Sequence, residues 1–136
     1  MSEQEFEQIS NAEWERMPER FKQKITNLAL LIEDDVNDTI REEEGLEEGE
    51  SLLGLYHGIP LTERGSEYGV GGTVPDTITL YRLPILEEAS EMDRAFRDAV
   101  RIVVRETLWH EVGHYFGLPE HGVNEREEEG TNRFNT

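Results

Sequence analysis

The chain has 136 residues, 31 of them acidic against 13 basic, a formal net charge of −18 and no cysteine. This length suits one domain, no apolar run reaches the roughly 18 residues that would span a bilayer, and the acidity argues against nucleic acid or an anionic membrane as the main partner. The opening MSEQEFEQIS has neither a basic flank nor an apolar core, so no secretory signal is read there; with disulfides ruled out as well, a cytoplasmic protein is the expectation.

In chain order, Glu3 to about Met17 carries Phe6, Ile9 and Met17 among polar residues, with Trp14 beside them, and predicts an amphipathic helix. Pro18 ends it and suits the first turn of a second short helix running to about Ile25. Leu28-Ala29-Leu30-Leu31-Ile32, closed by Glu33-Asp34-Asp35, predicts a buried strand. From Asn37 to Glu50 the chain is nearly all acidic and polar, and reads as a solvated loop or a frayed helix. Leu52-Leu53-Gly54-Leu55-Tyr56 reads as extended. The glycine cluster Gly65 to Gly72 lacks the context of a phosphate loop and reads as a connection.

Thr77 to Tyr81 alternates in strand fashion, with Pro84 closing the strand; it is a candidate edge strand for an added peptide. Ser90 and Asp93 resemble a capping box, from which a helix is expected to run to about Phe116. The acidic tail from about residue 124 is expected to be disordered, and the whole chain, residues 1–136, to form one domain.

The chemistry is concentrated in His110-Glu111-Val112-Gly113-His114. Side chains four apart share a helix face, so His110 and His114 converge and can offer two imidazole nitrogens to one Zn²⁺. Glu111 stands one step round the helix, placed to hold a metal-activated water and take its proton as general base. HExxH is short enough to arise by chance, and helical histidines often only complete core hydrogen bonds. Two features weigh against chance. Phe96, Val100, Val103, Thr107, His110 and His114 follow steps of three and four, so a core stripe runs into the histidines, where unsatisfied polar groups would be costly. Gly117 also stands where a positive-φ glycine would stop the helix.

A catalytic zinc site needs a third protein ligand and an open position. The spacing HExxHxxGxxE offers Glu120, and His121 is the alternative. Neighbours in an extended segment face opposite ways, and Pro119 keeps this segment extended, so only one of them can serve. Glu120 is favoured.

With these residues the chain resembles the small bacterial zincin-like metallopeptidases, single-domain HExxH proteins. The resemblance runs from Trp14 to His121. It rests on the Met17-Pro18 break, the Leu28 to Glu33 strand, Leu52-Leu53-Gly54-Leu55-Tyr56-His57-Gly58-Ile59-Pro60-Leu61, Pro75-Asp76-Thr77-Ile78-Thr79-Leu80-Tyr81-Arg82 and His110 to Gly117. It implies an α+β fold, a minimal zincin-like domain in which a small β-sheet packs against helices. The motif would lie on a long C-terminal helix running beneath an edge strand. It also implies a peptide or protein substrate and an acidic third ligand at the position of Glu120. Met1, Met17 and Met92 all precede the motif, so the methionine turn of metzincins is missing.

The remaining candidates read as structural. Arg94, Arg97, Arg101 and Arg105 form a basic stripe opposite the histidines, suited to pairing with surface carboxylates. Tyr81 and Tyr115 are possible oxyanion donors, with core packing favoured for both; His57 is expected to be structural. The leading functional reading is a zinc-dependent metallopeptidase hydrolysing peptide bonds; the alternative is a metal-binding or partner-binding protein with little or no turnover. No residue pattern specifies an oligomeric state.

Overall fold

The computed structural model describes residues 1–58 and 75–117. The Gly65 to Gly72 cluster, Glu120, His121 and the tail from residue 124 lie outside the described residues.

Helix α1 covers Glu3–Glu15. Ser2 caps it by accepting from the Glu5 N–H at 3.1 Å, and Glu3 and Glu5 in the first turn complement the helix dipole. It buries Phe6, Ile9, Ser10 and Glu13, the spacing of one helical face. Pro18 is the N-cap residue of the short helix α2, Glu19–Lys22, as its fixed φ and missing N–H suggest. Strand β1, Leu28–Glu33, comes next.

Helix α3, Asp38–Glu43, rises from the acidic stretch, with the Asn37 side chain accepting from the Ile40 N–H at 2.8 Å. Of the two readings offered for that stretch, the helix is the one found, and the cap supplies its reason. Strands β2, Gly54–His57, and β3, Asp76–Tyr81, complete the sheet.

Among the described residues the strand order is β1-β3-β2. β1 runs parallel to β3 from Leu28 opposite Asp76 to Glu33 opposite Tyr81. β2 runs antiparallel to β3 from Gly54 opposite Leu80 to His57 opposite Thr77. The expectation that Thr77 to Tyr81 forms an edge is therefore corrected: β3 is bonded on both sides, so its backbone groups are already committed and no peptide can add to it. Its nearly continuous burial is that of a central strand.

Two further corrections concern the chain after β3. Pro84 opens a helix, α4, Arg82–Ser90, where a first-turn proline removes no intrahelical hydrogen bond. The Leu83 N–H donates to the Asp34 carbonyl at 3.0 Å and Arg82 pairs with the Asp34 carboxylate at 3.0 Å, so contacts distant in sequence start this helix. Ser90 ends it, its hydroxyl donating to the Glu87 carbonyl, and does not cap the next helix. That long helix, α5, is Phe96–Tyr115, beginning at Ala95 without a side-chain cap.

α5 packs against α1, α4, β2 and β3. Val100, Val104, Leu108 and Val112 meet Phe6, Ile78, Leu80 and Ile85 in the core. The stripe read along this helix holds from Val100 onwards, whereas Phe96 is 41% exposed. The arginines do pair with carboxylates: Arg97 with Glu5 and Arg101 with Asp98, both at 3.6 Å. Arg94 precedes the helix, and Arg105 is not on the surface. It is buried and meets the equally buried Glu13 of α1 at 2.9 Å. The architecture is α+β: a small sheet packed on helices, with the motif on the last long helix.

Candidate functional site

His110, Glu111 and His114 sit in the last two turns of α5, where the helix passes from core to rim. Leu108 and Val112 are fully buried and anchor the inner face, Glu111 is 7% exposed, and the two histidines are half-buried. The helix stops as its sequence predicts. Gly117 has φ +84°, the left-handed conformation glycine adopts without a Cβ penalty, and its N–H donates to the His114 carbonyl at 2.9 Å.

The two imidazoles converge. Nε2 of His110 and Nε2 of His114 are 3.3 Å apart, with the rings at 73°. Two nitrogens bound at about 2.0–2.1 Å to one tetrahedral ion stand roughly 3.3–3.4 Å apart, so this spacing fits a zinc ion shared between them. A direct hydrogen bond between the rings would be long for its type. Glu111 is the flanking carboxylate, with Oε2 4.0 Å from His110 Nε2. Among the described residues, no three or more His, Cys, Asp or Glu side chains gather as a metal-holding group.

Sequence reasoning missed what holds Glu111. Its Oε1 accepts the backbone N–H of Tyr56 at 2.9 Å, so strand β2 reaches across to the helix. That approach depends on Gly54. A Cβ there would stand 2.6 Å from Thr107 Cγ2, 3.1 Å from the Thr79 carbonyl oxygen and 3.5 Å from Glu111 Cγ. The glycine in Leu52-Leu53-Gly54-Leu55-Tyr56 was the only trace of this contact; a backbone donor leaves no mark in residue identity.

Nothing in the geometry favours an oxyanion role for either tyrosine. Tyr115 is fully buried, and its hydroxyl donates to the Thr26 carbonyl and accepts the Thr26 N–H, both at 3.0 Å. It ties the end of α5 to the segment leading into β1. Tyr81 is buried in the core. Burial, then the carboxylates of Glu33, Glu44, Asp35 and Glu111, raise its hydroxyl above the ordinary tyrosine value and keep it protonated. His57 is exposed at the end of β2.

The model of the zincin-like metallopeptidase family matches residues 25–130. The chain belongs to that family. A solved structure of a conserved hypothetical protein from T. thermophilus is similar at a TM-score of 0.51 and 24% identity, over 92% of this chain and 99% of that one. At that identity the likeness speaks for the fold, which for a zincin-like domain is the small sheet laid against the motif helix described above. No curated protein matches the chain. No helix among the described residues is long and apolar enough to cross a membrane.

Proposed function

We propose that this zincin-like protein is a zinc-dependent peptidase in which His110 and His114 bind the metal, Glu111 is the general base and Glu120 is the third ligand. The observation that carries the reading is the 3.3 Å approach of the two Nε2 atoms beside a buried carboxylate. Zinc in such a site supplies Lewis acidity, polarising an oxygen and bringing the pKa of a bound water towards ~7.

The chain's own part is positioning and proton transfer. His110 and His114 would hold the metal through Nε2. Glu111 keeps Oε1 on the Tyr56 N–H, which directs Oε2, next to His110 Nε2, toward the attacking water. Oε2 accepts the proton as that water attacks the peptide carbonyl carbon. The same proton then passes to the amine nitrogen as the C–N bond breaks, returning Glu111 to the carboxylate. Glu120, three residues beyond Gly117 in the sequence, would supply the third protein ligand a catalytic zinc requires.

One observation favours the second reading, a metal-binding or partner-binding protein with little turnover: Tyr81 and Tyr115, the candidate oxyanion donors, are both buried. A mixed peptide library incubated with zinc-loaded protein, with and without chelator, separates the two. The peptidase reading expects chelator-sensitive cleavage by the natural chain, and zinc retained but cleavage lost in Glu111→Gln. Loss of zinc from Glu111→Gln would make Glu111 a ligand and overturn the assignment. Full zinc loading with no cleavage of any peptide would leave the binding role.

A further inference from the structure

Glu111 is a buried carboxylate on a helix, and an ordinary glutamate has three rotatable bonds with which to leave a productive orientation. A hydrogen bond from a strand holds one of its oxygens. The donor, the Tyr56 N–H, belongs to β2, which among the described residues pairs with β3 from Gly54 to His57. The side chain of Tyr56 is anchored as well. Its hydroxyl donates to Asp76 Oδ2 at 2.7 Å, and Asp76 is 3% exposed at the start of the central strand. Its ring meets the ring of Tyr115 edge-on at 6.0 Å, and Tyr115 is itself held at Thr26.

From this geometry we infer that Tyr56 is the positioning residue for Glu111: the Asp76 carboxylate and the Tyr115 ring hold the Tyr56 side chain, and the Tyr56 N–H holds the general base. The hydroxyl of Tyr56 donates to Asp76, and the residue acts on Glu111 through its own backbone N–H. A residue that looks like core packing at the strand edge thus sets the orientation of the base, and Asp76 has a stated purpose at the site although it stands at the far end of the linkage. The inference rests on the role proposed above for Glu111, but the linkage is a property of the metal-free chain and can be read without turnover.

The test uses Tyr56→Phe, which keeps the ring and removes the hydroxyl, and Glu111→Gln, which keeps the shape of the acceptor and removes its charge. In metal-free protein the backbone amide at position 56 is followed by its proton chemical shift and its hydrogen-exchange rate. In the natural chain that amide is expected downfield and protected. Glu111→Gln moves it upfield and speeds its exchange roughly tenfold, about the difference between a hydrogen bond to a charged acceptor and one to a neutral acceptor. Tyr56→Phe does the same in part, by several-fold, while amides in the middle of α5 keep their protection.

In zinc-loaded protein Tyr56→Phe leaves zinc affinity and KM unchanged and lowers kcat, because the base is misoriented while ligands and cleft are intact. An amide at position 56 that ignores either substitution would overturn the inference, as would a Tyr56→Phe variant that raises KM and leaves kcat alone. If the natural chain cleaves nothing, the functional reading falls, yet the amide measurements still decide whether Tyr56 holds Glu111.

Discussion

Replacing Gly54 by alanine tests how closely β2 is pressed onto the motif helix. The added Cβ would lie 2.6 Å from Thr107 Cγ2 and 3.1 Å from the Thr79 carbonyl oxygen, whereas carbon atoms rest at about 3.5–4.0 Å. Relief cannot come cheaply. Thr107 is buried and its hydroxyl donates to the Val103 carbonyl at 2.7 Å, and moving β2 outward strains its pairing with β3. Overpacking of this kind costs about 1–3 kcal/mol, and the reduced freedom of the unfolded chain returns about 0.4–1 kcal/mol. A net loss of about 1–2 kcal/mol is expected, or a Tm lower by about 3–10 °C for a chain of this size. Urea and thermal unfolding of metal-free protein, followed by circular dichroism, measures it. Thr107→Ser keeps the hydroxyl and removes the colliding methyl, so the double variant should recover at least ~0.5 kcal/mol relative to additivity. A Gly54→Ala chain as stable as the natural one, or a double variant that is simply additive, would refute the close packing of β2 on α5.

Three other outcomes are expected. Arg105→Met leaves the buried Glu13 carboxylate with the more exposed Arg16, at 3.3 Å, as its cation partner among the described residues, and should cost up to about 3 kcal/mol in urea unfolding; Glu13→Met added to it should restore much of the loss, since a buried pair replaced whole is often neutral. For Tyr81 the folded hydroxyl titrates above the unfolded value of about 10. Its contribution is complete below that pH and is lost as pH rises towards the folded value, because the unfolded chain releases a proton that the folded chain retains. Unfolding midpoints on either side of pH ~10 should therefore fall more steeply for the natural chain than for Tyr81→Phe. At the third ligand, zinc titrated against a competing chelator should show a large affinity loss for Glu120→Ala and little for His121→Ala, and the reverse result would transfer the role to His121.

The elements that were legible in sequence are those specified locally. α1 follows from Phe6, Ile9 and the Pro18 break, β1 and β3 from their β-branched and apolar runs, and the end of α5 from Gly117. α4 was not legible. Pro84 reads equally as a strand stop or a first-turn helix residue, and what decides is Asp34, which meets Arg82 and the Leu83 N–H from 48 residues away in sequence. Ser90 and Asp93 illustrate the same limit, since a three-residue pattern does not specify that Ser90 ends one helix before another begins. Glu13 and Arg105, 92 residues apart, gave no sign that two charges in an acidic, charge-rich chain would be buried together. At the site the two histidines and Glu111 were legible because four-residue spacing on a helix is itself geometry. Leu52 to Tyr56 was legible as extended, but its hold on Glu111 was not, because the donor is a backbone N–H supplied from 55 residues away.

The central claim is that the convergence of His110 and His114 serves to bind zinc, and metal stoichiometry with and without those imidazoles tests it most directly. Protein purified metal-free and titrated with zinc at neutral pH should bind about one equivalent per chain, with binding lost in His110→Ala and in His114→Ala while circular dichroism shows the helices intact. A natural chain that takes up no zinc, or a His114→Ala variant that binds it as tightly as the natural chain, would contradict the account.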